Sequence, residues 1–156
     1  MEKISGEINI SGITGLDTGQ QMTLDALMLA IMADRAELLD GQVRKQVNDV
    51  RAKNEILKKT NQMMALARKA KDGNATAAEK GEISLFCAEH GISYGGNWDT
   101  NIENLKGFSE SMTSTSQLDM AQLQSTMGKY NQTFEQLSNF ISKYASSIKS
   151  IVGNIR

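Results

Sequence analysis

Residues 120–155 read MAQLQSTMGKYNQTFEQLSNFISKYASSIKSIVGNI, and this stretch decides the fold. Met120, Leu123, Met127, Tyr130, Phe134, Leu137, Ile141, Tyr144, Ile148, Ile151 and Ile155 alternate steps of three and four, and every one is apolar or aromatic. Those steps keep side chains on one face of a helix, and the run outlasts the roughly three to four heptads that mark a coiled coil. Gln, Ser, Asn and Lys fill the positions between them and form a solvated face. A helix from residue 118 onward would be roughly 57 Å long at about 1.5 Å per residue. Such a stripe needs a partner.

The chain offers one upstream. Residues 21–71 read as a second long helix, with Thr18 or Thr23 as start caps and Asp72-Gly73-Asn74 as the stop. Leu29, Ala36, Val43, Val50, Leu57 and Met64 form an apolar row. A second row through Met32 and Leu39 is broken by Gln46, Lys53 and Thr60. The seam is therefore well specified along one edge only. Val47, Ile56 and Met63 widen it, and Gly41 is a place for a bend. The block Ala26-Leu27-Met28-Leu29-Ala30-Ile31-Met32-Ala33 is apolar on every side, so it needs cover all round. A tight internal core would supply that cover; otherwise Leu27, Met28 and Ile31 are contact residues for a chaperone, another subunit or a lipid interface.

Composition supports helix. The 156 residues contain no proline, and aromatic residues make up only 5%. At the usual frequency of about 5%, a chain of this length would carry roughly eight prolines. The expected fold is all-α: two long helices forming an antiparallel coiled-coil hairpin, with short helices and loops inserted between them. Residues 1–20, rich in Gly, Ser, Thr and Ile, read as a flexible arm and a docking or uncleaved export segment. Residues 73–117 form a variable middle. Thr76 and Glu79 have capping-box spacing and start a helix that carries Ile83, Phe86 and Cys87 inward until Gly91 ends it. Thr100 and Glu103 repeat that spacing ahead of Ile102, Leu105, Phe108 and Met112. The Ser/Thr run at 113–116 either ends this helix or is a joint into the last one. Trp98, in the turn-rich loop with Tyr94, is expected to plug the core.

Chemistry is sparse. One cysteine and one histidine exclude a disulfide framework and a multi-cysteine zinc site. Cys87 and His90 stand three apart on a helix, short of a metal-ligand set, and Cys87 reads as a buried structural thiol. No glycine-rich phosphate loop is present, so no enzyme activity and no cofactor are expected. Net charge is −1, and the most basic stretch, 44–71, has no aromatic residue, which argues against nucleic acid as a partner. No segment reaches the roughly 20 apolar residues of a membrane span, although contact with a membrane surface stays open. No cleavable signal peptide is expected.

The last helix also carries a resemblance. Tyr130-Asn131, Glu135, Leu137, Phe140-Ile141, Lys143-Tyr144, Ile148, Ile151 and Ile155 resemble the terminal helix of V-antigen-type needle-tip proteins of bacterial type III secretion systems. The likeness spans about residues 126–155. The overall plan (arm, long helix, variable middle, long last helix) is similar to that of EspA-type filament proteins. The chain is too short for the usual V-antigen globular domains, which favours the filament-like or minimal-tip plan. The resemblance implies a secreted, self-assembling structural subunit without catalysis. Its partners would be copies of itself, needle or translocator subunits and a cytosolic secretion chaperone. A cytosolic helical adaptor or chaperone, and a membrane-active helical protein, are the competing readings.

Overall fold

The computed structural model describes residues 24–155. Among them the chain forms three helices and no strand: α1 (Leu24–Lys71), α2 (Ala77–Glu89) and α3 (Trp98–Asn154). The arm expected at 1–20, with the caps Thr18 and Thr23, lies outside the described residues.

The helix ends follow from local chemistry. Helix α1 stops where Gly73 takes φ +79°, a left-handed value that costs glycine nothing. Asn74 N–H then donates to Lys69 O and Gly73 N–H to Ala70 O, which satisfies two otherwise orphaned carbonyls. Helix α2 ends the same way: Gly91 has φ +65°, and Ile92 N–H donates to Cys87 O at 2.8 Å. At the start of α2 the expected capping box is present. Glu79 N–H donates to Thr76 Oγ1, while Thr76 N–H donates to Glu79 Oε2 at 2.7 Å. Lys69 donates to the other Glu79 oxygen at 2.6 Å, pinning α2 to the end of α1.

Two expectations are corrected. The second middle helix and the last helix are one element of 57 residues, so residue 118 is not a helix start. Thr113 Oγ1 donates to Ser109 O and Thr115 Oγ1 to Ser111 O, each four residues back. Hydroxyls satisfied inside the helix do not compete with its ladder, so the Ser/Thr run continues it. The cap of α3 is Asn97, not Thr100: Asn97 Oδ1 accepts from Asp99 N–H and Thr100 N–H. Gly41 lies inside α1, which runs on through it.

Helices α1 and α3 pack along much of their length, and α2 packs on α1. The principal core gathers Met63 and Ala67 from α1, Ile83, Phe86 and Cys87 from α2, and Leu105 from α3. Ile56, Met64, Leu66, Ile92, Trp98 and Ile102 pack around it half-buried. Trp98 thus lies against the core as expected, with its ring edge-on to the exposed Tyr94. The loop between α2 and α3 is closed by a residue the sequence did not single out. Buried Asn101 accepts from Gly95 N–H at 2.9 Å and donates to Gly95 O at 2.8 Å. Asn104 donates to Ser93 O. Further along, Lys53 of α1 pairs with Asp119 of α3, Asn54 meets Ser116, and Lys71 meets Asp99.

Candidate functional site

Helix α3 carries more apolar surface than α1 covers. Three rows run side by side along it, the members of each seven apart. A middle row holds Leu123, Tyr130, Leu137 and Tyr144, with Leu123 buried and the rest half-buried. On one flank, Thr126 and Thr133 are buried and Phe140 is half-buried. On the other flank stand Met120, Met127, Phe134, Ile141, Ile148 and Ile155. There Met127 is 44% exposed, Phe134 53%, Ile141 49% and Ile148 45%. Ile151 and Val152 are exposed as well. The single stripe expected from 3–4 spacing is therefore divided, with one half turned inward and the other toward solvent.

The inward register is 123, 126, 130, 133, 137, 140, 144, which also alternates steps of three and four. The two buried threonines hid it. Thr126 Oγ1 donates to Gln122 O at 3.0 Å, so the side chain enters the interior without a stranded hydroxyl.

On α1, Leu39 and Val50 are buried, while Leu29, Met32, Val43, Leu57 and Met64 are half-buried. The positions read as breaks in the seam also turn inward. Thr60 is fully buried and donates to Ile56 O at 2.8 Å, Lys53 is held by Asp119, and Gln46 is half-buried. Gln46 Oε1 is a buried oxygen with no hydrogen-bond partner. Polar layers of this kind are tolerated where they are paired and cost stability where they are not. Leu27, Met28 and Ile31 are exposed together with Leu24 and Leu38. The tight internal cover imagined for residues 26–33 therefore does not include these side chains. Asp25 lines one shallow groove with Phe140, Lys143, Tyr144 and Ser147, and Met32 lines another with Gln136, Asn139, Phe140 and Lys143.

Cys87 is buried, and burial pushes its thiol above the ordinary range. His90 caps α2, sits within hydrogen-bond distance of Phe86 O at 2.9 Å, stacks on Phe86 and meets Phe108 edge-on. No cluster of three or more His, Cys, Asp or Glu is placed to hold a metal among the described residues. No helix among them is long and apolar enough to cross a membrane.

Two ion pairs at the α2 end leave electrostatic signatures. The hydrogen bond from Lys69, followed by that from Thr76 N–H, holds the Glu79 carboxyl below its usual range. The Asp99 carboxylate raises the Lys71 ammonium. Both pairs are solvent-screened staples between elements, Lys69–Glu79 joining α1 to α2 and Lys71–Asp99 joining α1 to α3. No protein-family model, curated protein or solved structure matches the chain.

Proposed function

We propose that this chain is a non-catalytic structural subunit that works through helix–helix contacts, as an exported tip or filament component of a type III secretion apparatus. The observation that carries the reading is the division of α3: one apolar row is spent on α1, and a second, in the same heptad, faces solvent. A helix that is apolar over so wide an arc belongs to a bundle larger than two helices.

In this reading α1 and α3 form an antiparallel coiled-coil hairpin. Support comes from the order of the cross-helix pairs: Lys71 with Asp99, Asn54 with Ser116, Lys53 with Asp119. The partner numbers rise on α3 as they fall on α1. The resemblance of residues 126–155 to needle-tip proteins supplies the secretion context. It also implies that needle or translocator subunits are neighbours and that a cytosolic chaperone covers the apolar rows before export.

Secretion is tested by asking whether the protein reaches the culture supernatant in a strain with a working apparatus and not in one lacking its export ATPase. Equal amounts in both supernatants, or none in either, would remove that context. A second reading, release of the α1 start onto lipid, rests on the exposure of Leu24, Leu27, Met28 and Ile31. Liposome flotation decides it, since that reading requires the protein to float with the vesicles.

A further inference from the structure

We infer that the outward face of α3 is a second coiled-coil seam whose occupant is α3 of a second copy of this chain. The inference rests on the self-assembly reading and names the surface that performs it. Four residues on from Met120, Met127, Phe134, Ile141 and Ile148 stand Gln124, Asn131, Ser138, Ala145 and Val152, all exposed. Interleaved with Met120, Met127, Phe134, Ile141, Ile148 and Ile155, they alternate steps of four and three. The seam thus has the knobs-into-holes period of a coiled coil in its own right.

Three observations favour a second copy as the occupant. The seam is continuous with the internal one, sharing the row Leu123, Tyr130, Leu137 and Tyr144 as its inner border. It contains no charged residue, and the row beyond it (Gly128, Glu135, Ser142 and Lys149) holds one charge of each sign, so two copies meet without net repulsion. Its size is also adequate. A face about 50 Å long and about 10 Å wide buries roughly 500 Å² per copy, or about 1,000 Å² in all, where specific interfaces begin. The small residues Ser138 and Ala145 let two helices approach closely at its centre.

The test is disulfide trapping of the full chain in a Cys87→Ala background. Ser138→Cys, in the seam, is expected to give a covalent dimer on mild oxidation, while Lys129→Cys, on another face of α3, stays monomeric. In parallel, Phe134→Glu should weaken self-association by at least about 100-fold, because pairing would strand a charge, while helicity is kept. Phe134→Leu should restore association. Equal trapping at both cysteines, or association that survives Phe134→Glu, would overturn the seam while leaving self-assembly through another surface standing. A strict monomer at every concentration would overturn both.

Discussion

The region around α2 and the outer parts of α1 and α3 draw on the same two long helices and are held in different ways. At the α2 end, Met63, Ala67, Ile83, Phe86, Cys87 and Leu105 close over one another, and two glycine stops, a capping box and the Asn101–Gly95 clasp satisfy the backbone around them. In the outer parts of α1 and α3, no residue of 24–38 is buried, and none of 134–155 is. Large apolar residues remain there in heptad rows, at Leu24, Ile31 and Leu38 on α1 and from Met127 to Ile155 on α3. The first closes over its own core and leaves Leu85 and Tyr94 exposed; the second presents continuous apolar rows to solvent, and that difference is where function is to be sought.

The contrast can be broken most severely at the α2 end. Leu105→Ala empties a fully buried site and should cost about 2–5 kcal/mol, read as the shift in the urea midpoint. The truncation Ile31→Ala, at an exposed site, should move the midpoint little. If both variants lose the same stability, the two ends do not differ as described. Asn101→Ala comes next. It removes the two hydrogen bonds to the exposed Gly95, at about 0.5–1.5 kcal/mol each, with faster amide exchange at Ser93–Gly95. In the opposite direction, Gln46→Leu removes the unpartnered buried oxygen and should raise stability by about 1 kcal/mol. A loss there would mean that Gln46 holds the register.

The smallest effect concerns acid. The folded state prefers the Glu79 carboxylate, so its contribution is present above the ordinary carboxyl value of 4.5 and is lost as pH falls through the lowered folded value. Amides of Ala77–Lys80 should lose protection in that window, and Glu79→Gln should show the loss already at neutral pH.

Legibility in the sequence followed the range of the interactions. Thr76 with Glu79, Gly73 and Gly91 were readable because a cap or a stop is set within about six residues. The long helices were readable because the heptad repeats. The register of α3 was not. Leu123, Tyr130, Leu137 and Tyr144 belong to both 3–4 patterns, and only α1 decides whether Thr126 and Thr133 or Met127 and Phe134 turn inward. The apolar pattern with the larger side chains faces out, which hydrophobicity alone argues against. Asn101 was hidden for a different reason: Gly95 is only six residues upstream, but an amide side chain bonding to loop backbone follows no residue spacing that marks it out. The continuity of α3 through 113–116 was not legible because Ser and Thr suit a cap or turn as well as a helix whose carbonyls their hydroxyls can reach, and spacing does not reveal which.

On the proposed reading, α3 serves two partners, one inside the chain and one outside it. Sedimentation velocity and circular dichroism of Leu137→Asp and Ile141→Asp separate the two roles. Leu137→Asp, on the half-buried row, should lose helicity and thermal stability. Ile141→Asp, on the exposed row, should keep the wild-type spectrum and sediment as a monomer at concentrations where the wild type forms larger species. Matching losses of helicity in the two variants, or wild-type assembly by Ile141→Asp, would contradict the division of the helix on which this account rests.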